Sequence, residues 1–199
     1  MFTPAEFVDN YANIGAGKAK APALKLFLLA VLAGFYIAMG GIYCGQLNMS
    51  GGDLAVTTIK IAATKCGLSF GSAFVMGILC NILVCAGVVC SLCGKDLPGR
   101  AIGAFVPVCF FILGGFEHCV ANMYYIPAGI LANSVPKYAE MAAAAGIDTS
   151  ALTWGNFVVN NLVPVTLGNI AGGMLFVGLP LYLIHSAKIR EEEAQMKAA

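Results

Sequence analysis

Two ionisable residues, Glu117 and His118, stand side by side in a long apolar segment that is otherwise free of charged side chains. Imidazole is the side chain whose protonation changes closest to neutral pH, and its hydrogen-bond partners fix which ring nitrogen carries the proton. Ionisable groups inside a membrane are costly and commonly mark ion pathways or proton relays. We therefore predict that His118 lines a pathway and that Glu117 orients it. The alternative is a structural histidine whose nitrogens are satisfied by neighbouring groups.

Amide side chains interrupt the same apolar segment and two others. An amide among apolar groups needs hydrogen-bond partners, and bonds between helices are a common solution in a membrane. We therefore expect these amides to point toward the interior of a helical bundle. They are Asn81, Asn122, Asn160, Asn161 and Asn169.

The elements that must position these residues are transmembrane helices. Of the 199 residues, 59% are hydrophobic and only 11% are charged, whereas charged residues make up about a quarter of soluble domains. Four segments reach the roughly 20 apolar residues that a span requires. The sequence thus predicts an all-α polytopic membrane bundle, with spans at Leu26 to Gly45, Gly71 to Gly94, Ala101 to Pro136 and Phe157 to His185.

The third of these spans is predicted to be a broken helix. At about 1.5 Å per residue, a helix that begins at Ala101 reaches the middle of the membrane near Glu117. Pro127 follows, and a proline removes a backbone donor and clashes with the preceding turn. Irregular backbone at that depth is tolerated where it lines a cavity, which is a recurrent feature of transporters.

Composition and motifs exclude several classes of function. The net charge of +1 provides no basic surface for nucleic acid. The chain has no glycine-rich phosphate loop, nucleophile elbow or metal-ligand spacing on a helix. We therefore expect neither an enzyme nor a bound cofactor. The Cys90-x-x-Cys93 pair lacks a second pair of metal ligands, and the cysteines are best interpreted as small apolar residues.

Lysine and arginine counts predict the orientation, because cytoplasmic loops retain basic residues. Eight lie on one side and three on the other, which places both termini in the cytoplasm. We expect a cytoplasmic amphipathic segment over residues 1–20, a transmembrane domain over 21–187 in the cell membrane and a cytoplasmic tail over 188–199. The eight are Lys18, Lys20, Lys25, Lys95, Arg100, Lys188, Arg190 and Lys197, and the three are Lys60, Lys65 and Lys137.

Three segments of the chain resemble signature segments of the formate/nitrite transporter family. They are residues 77–81 (GILCN), 115–123 (GFEHCVANM) and 161–173 (NLVPVTLGNIAGG). The resemblance implies a homo-pentamer of channel-like transporters for small monovalent weak-acid anions such as formate, nitrite and hydrosulfide, with one pore in each protomer. It also implies a six-span fold built from two inverted three-helix repeats.

The resemblance also implies roles for individual residues. His118 corresponds to the central pore histidine of the family, and Glu117 to the acidic residue before it. Phe111 falls at an aromatic constriction and Lys65 at a lysine of the outer vestibule. The amides Asn81 and Asn161 match amides buried near the pore, and Asn122 and Asn169 lie in the same signature segments.

The chain departs from the family in length. The match is continuous from about Gly45 onward but covers only one span before that point, so about 60 to 70 residues, equivalent to two spans, are absent. The join falls between Met39 and Gln46. A natural short form, a splicing or assembly artefact and an engineered deletion are all compatible with it. Loss of an even number of spans leaves the direction of the remaining chain unchanged.

These observations give a mechanistic hypothesis and two alternatives. Lys65 and the outer loop would concentrate the anion, Phe111 would exclude bulk water, and His118 would help to convert the anion into its neutral acid, so that a proton crosses with it. One alternative is a non-conducting subunit that associates with full-length protomers. The other is a haem-binding anchor of a redox complex, although His118 and His185 differ too much in depth to ligate one haem.

Overall fold

A computed structural model describes residues 2, 4–29, 31–32, 51–184, 191 and 195–196. These residues contain no strand, which confirms the prediction of an all-α fold. Residues 23–29 and 31–32 are helical. The other helices are α1 (Pro4–Ala19), α2 (Asp53–Cys66), α3 (Phe70–Cys93), α4 (Leu97–Leu113), α5 (Cys119–Asn133), α6 (Pro136–Ala144) and α7 (Trp154–Ile184).

Two of these helices, α3 and α7, are long and apolar enough to cross a membrane, with 24 and 31 residues. They match the second and fourth predicted spans. Most of the first predicted span, Leu26 to Gly45, lies outside the described residues, as does the Met39 to Gln46 join. Many large apolar side chains of α3, α4 and α7 are exposed on the isolated chain, as expected for surfaces that face lipid.

The third predicted span is two helices, α4 and α5, separated by residues 114–118. Gly115 makes the break possible, because its φ of +66° is accessible to glycine at little cost. The attribution of the break to Pro127 was wrong. Pro127 lies inside α5, since neighbouring groups and small local adjustments let membrane helices tolerate proline.

Helix α7 changes its winding along its length. It is π-helical over Phe157–Leu162 and Gly172–Gly178, and α-helical over Val163–Ala171 between them. A π-helical turn rotates the following residues relative to a regular α-helix, and such turns are frequent at functional sites. The first of these turns carries Asn160 and Asn161.

Contacts between residues divide the chain into two compact units. The first unit, residues 27–77 and 117–168, contains α2, α5 and α6, the start of α3 and the first part of α7. Its core is apolar, and α2 and α5 approach so closely that a Cβ added to Gly129 would overlap that of Ala62. The core residues are Ile59, Ala62, Ala63, Cys66, Ile126, Ala142, Leu152 and Phe157.

The second unit, residues 1–26, 78–116 and 169–199, contains α1, α4, most of α3 and the end of α7. Helix α4 begins at a cap in which the Asp96 carboxylate accepts the Gly99 N–H at 2.6 Å, which satisfies a donor of the first turn. A Cβ on Gly103 would lie 2.8 Å from the Cys90 carbonyl carbon. Glycine at this position therefore allows α4 to pack directly on the backbone of α3.

Candidate functional site

An ion pair joins α2 to the break between α4 and α5. Lys65 Nζ lies 2.7 Å from Glu117 Oε1. Both side chains are largely removed from solvent, with 16% of the Lys65 side chain and 3% of the Glu117 side chain exposed. It is the one ion pair found within the described part of the chain. Its charges cancel, which is the usual condition under which charged groups are buried.

Two amides complete the surroundings of the Glu117 carboxylate. Asn122 Nδ2 donates to Glu117 Oε2 at 2.6 Å, and Asn161 Nδ2 donates to the same oxygen at 3.0 Å. Asn122 Nδ2 also donates to Asn161 Oδ1 at 2.7 Å. The two amides are themselves buried, with 0% of each residue exposed. The carboxylate thus receives three hydrogen bonds from three different helices.

The polarity of these contacts defines the chemistry of the cluster. Lys65, Asn122 and Asn161 all donate to Glu117, which suits an ionised carboxylate because that group only accepts hydrogen bonds. Asn161 Nδ2 also donates to the Lys65 carbonyl at 3.1 Å. This contact ties the start of α7 to the end of α2. We call Lys65, Glu117, Asn122 and Asn161 the buried polar cluster.

One acceptor in this cluster is unused. Asn122 Oδ1 is buried and accepts no hydrogen bond from the residues that the structure describes. Its orientation follows from its neighbours, because both Nδ2 hydrogens are already directed at Glu117 Oε2 and Asn161 Oδ1. A buried acceptor without a donor is costly. This oxygen is therefore an acceptor inside the cluster that still lacks a donor among the described residues.

His118 forms the N-terminal cap of α5. Its backbone is extended, with φ of −115° and ψ of 116°, and its Nδ1 accepts the Ala121 N–H at 3.3 Å. In a neutral ring one nitrogen accepts and the other carries the proton, so this contact assigns the proton to Nε2. The side chain is neither fully buried nor fully exposed. The break therefore presents a ring whose tautomer is fixed by the helix that follows it.

The remaining candidates lie in the second unit. Asn81 Nδ2 donates to the Asn169 carbonyl, just before the second π-helical turn begins. A Cβ added to Gly173 would lie 2.6 Å from Asn81 Nδ2, so a glycine is required where this amide crosses to α7. Phe111 lies near the end of α4 and is partly buried.

The sequence did not reveal helix α2 or the burial of Lys65. No helix was predicted around Lys65, whereas the segment is helical from Asp53 to Cys66. Threonines and lysines interrupt the apolar residues of this segment, so the sequence shows no strong helical period of apolar residues. Burial raises the pKa of the neighbouring Cys66 thiol. His185, the second ligand of the haem alternative, lies outside the described residues.

Comparison with known proteins places this geometry in context. The profile of a family described as "Formate/nitrite transporter" matches residues 44–183. The formate channel FocA of Haemophilus influenzae is 36% identical over 158 residues, and that of Escherichia coli K12 is 34% identical over 185 residues. A solved structure described as a pentameric formate channel with formate bound superposes with a TM-score of 0.63 at 34% identity.

The matches cover more of this chain than of its relatives. They span 78% of the chain and 56% of the H. influenzae protein, and 92% of the chain and 61% of the E. coli protein. The structural match covers 78% of this chain and 60% of the channel. The chain therefore spans little more than half the length of these relatives.

Proposed function

This chain belongs to the formate/nitrite transporter family of membrane-embedded proteins, as its motif segments predicted, and we propose that it carries formate across the cell membrane. Nitrite and hydrosulfide are further candidates, because they are small monovalent anions of weak acids. The proposal includes a proton that accompanies the anion and a homo-pentameric assembly. Formate is preferred because the two relatives compared above are formate channels.

The observation that carries the proposal is the buried polar cluster next to His118. A bare anion loses its hydration in a dry constriction, which costs several kcal/mol or more unless it is paired or neutralised. Glu117, which precedes His118 in the chain, and Asn122, which follows it, are both held by hydrogen bonds within the cluster. His118 is thereby held at a fixed position in the helix break.

Moving the neutral acid through such a constriction costs less free energy than moving the bare anion. The Nε2–H of His118 can donate a hydrogen bond to an oxygen of formate. If the ring first takes a second proton at Nδ1, it can pass the Nε2 proton to formate, which gives formic acid and a neutral ring protonated at Nδ1. This exchange breaks the contact between Nδ1 and the Ala121 N–H. Water on either side can then restore the original tautomer.

The unused Asn122 oxygen supports passage of the neutral acid. Formate has acceptor oxygens only, whereas formic acid has an O–H group that can donate to Asn122 Oδ1. The cluster has no net charge, since Lys65 and Glu117 cancel. It therefore favours a neutral, hydrogen-bonding solute over a bare anion.

Transport in liposomes tests the proposal. Purified protein is reconstituted, and uptake of isotopically labelled formate is followed against external pH together with the internal pH. We expect uptake that rises as the external pH falls and that acidifies the interior. His118→Asn should lose this dependence, whereas the same substitution at the other histidine, His185→Asn, should retain it.

Two outcomes would contradict the proposal. Wild-type protein that moves no formate above empty liposomes would refute transport and would favour the non-conducting subunit, which the chain's short length relative to its relatives makes a specific alternative. Uptake by His118→Asn that equals the wild type at every pH would remove the histidine from the mechanism. An absorption spectrum with a Soret band would instead support the haem anchor.

A further inference from the structure

A proline follows each of the two π-helical turns of α7 at the same distance. Pro164 and Pro180 each stand two residues beyond the last residue of a turn. In a regular α-helix the ring of a proline clashes with the carbonyl four residues before it, and that carbonyl finds no N–H donor. Here these carbonyls belong to Asn160 and Phe176, so each of them lies inside a π-helical turn.

A wide backbone hydrogen bond closes each turn directly before its proline. The Val163 N–H donates to the Val158 carbonyl, and the Leu179 N–H donates to the Met174 carbonyl. An α-helix would instead pair each N–H with the carbonyl one residue later in the chain. Because the proline has already removed an α-helical hydrogen bond from this place, the wide turn loses less here than it would in an unbroken helix.

Proline alone does not widen a helix. Pro107 and Pro127 lie inside α4 and α5, which keep α-helical winding around them. The first π-helical turn of α7 has a second cause, because it carries Asn161. The Asn161 amide makes three hydrogen bonds to the other members of the buried polar cluster, at 2.7 to 3.1 Å. These bonds require one particular direction of the side chain, which the wide turn provides.

The winding of the turn determines which of two adjacent amides reaches the cluster. Asn160 and Asn161 carry the same side chain, and in an α-helix they would point about 100° apart. Asn161 enters the cluster, whereas Asn160 Nδ2 donates to Asn156 Oδ1 on its own helix at 3.0 Å. A π-helical turn amounts to one extra residue, so rewinding it as an α-helix would rotate its two flanks relative to each other by about the same 100°. Asn161 would then turn away from Glu117.

We propose that Pro164 is a positioning residue of the pathway. It favours the wide turn that directs the Asn161 amide at Glu117, and through Glu117 it helps to hold the helix break that carries His118. Pro164 is itself buried, with less than 2% of its surface exposed, so it acts through the winding of α7. The consequence for transport rests on the proposed function, whereas the consequence for the position of Asn161 does not.

Exchange of side-chain amide protons tests the positioning without requiring transport. Both Nδ2 protons of Asn161 are hydrogen-bonded and the residue is 0% exposed, so they should exchange slowly with solvent. Their NMR signal is followed in micelles with ¹⁵N-labelled asparagine and is identified by its absence from Asn161→Ala. Pro164→Ala restores a backbone donor and should accelerate the exchange about tenfold, as expected for loss of a hydrogen bond to a charged group.

Two further variants make this measurement specific. Pro164→Gly restores the same donor with a different side chain and should also accelerate the exchange. Pro127→Ala is the matched control, because it removes a proline from a helix of the same unit that has regular α-helical winding, and it should leave the exchange rate unchanged. Slow exchange that persists in both Pro164 variants overturns the inference, as does equal acceleration in Pro127→Ala.

Formate uptake links the turn to transport. Asn161→Ala and Pro164→Ala should each lower the maximal rate about tenfold and change the dependence on external pH in the same way. The double variant should be no slower than Pro164→Ala, because both changes remove the same contact. Losses that multiply in the double variant overturn the inference, since the proline would then not act through Asn161. Wild-type protein without formate flux refutes the proposed function, and the exchange measurement then decides by itself whether Pro164 positions Asn161.

Discussion

Replacing Glu117 with glutamine should be among the most destabilising single changes to the buried polar cluster. Glutamine has nearly the same shape but offers one acceptor oxygen and one NH₂ group, whereas Lys65, Asn122 and Asn161 all donate to the carboxylate. Whichever way the new amide turns, its NH₂ group faces another donor. The ammonium of Lys65, only 16% exposed, also loses its counter-charge.

The magnitude follows from these contacts. Removing one partner of a buried ion pair costs about 3–5 kcal/mol, and the residual exposure of Lys65 favours the lower end, about 3 kcal/mol. Lys65→Met should cost a similar amount, since it leaves the carboxylate without its cation. In the double variant the glutamine oxygen can accept from Asn122 and Asn161 while its NH₂ group faces the methionine. The two effects should therefore fall short of additivity by about 2 kcal/mol.

Unfolding of the purified protein in mixed micelles, titrated with sodium dodecyl sulfate, gives the free energies of unfolding for this cycle. Glu140→Gln is the control, because it makes the same chemical change at an exposed position of α6 and should stay within about 0.5 kcal/mol of the wild type. If Glu117→Gln unfolds like this control, or if the double variant is additive, the ion pair does not organise the helix break as we argue.

Packing and thiol accessibility provide two further predictions. Gly129→Ala should lower the free energy of unfolding by about 1–3 kcal/mol, because its Cβ would overlap that of Ala62, whereas Gly71→Ala, with open space around it, should not; equal stability of the two variants would contradict the α2–α5 packing. N-ethylmaleimide at pH 8 should modify Cys66 only after unfolding, because Cys66 is 1% exposed and burial raises its pKa; peptide mass spectrometry would detect early modification of Cys66, which would count against this core.

Hydropathy and residue type were sufficient to predict the spans α3 and α7 and the presence of a break in the third span. These features depend on local composition, and the cost of burying polar groups in lipid makes them visible in one sequence. The position of the break was harder to predict, because the apolar environment tolerates Pro127 inside α5 while the positive φ of Gly115 is a property of the folded backbone.

The partners of the polar residues could not be predicted in the same way. Lys65 and Glu117 are 52 residues apart, and Asn161 reaches both from a third helix. Such contacts depend on how the helices pack, which no local pattern encodes. The π-helical turn at Phe157–Leu162 adds a further uncertainty, because it rotates Asn161 relative to the position that a regular α-helix would give.

The two lysines of α2 show why type and topology alone do not define function. A count of basic residues treats Lys60 and Lys65 as equal members of the outer side. In the structure Lys65 Nζ lies 2.7 Å from Glu117 Oε1. The ion pair can organise the helix break, but because the two charges largely cancel it attracts an anion only weakly. Lys60 lines an open cavity with no carboxylate in pairing distance among the described residues. Variants of the two lysines should therefore differ, because loss of Lys65 removes the counter-charge of Glu117 at the helix break whereas loss of Lys60 does not.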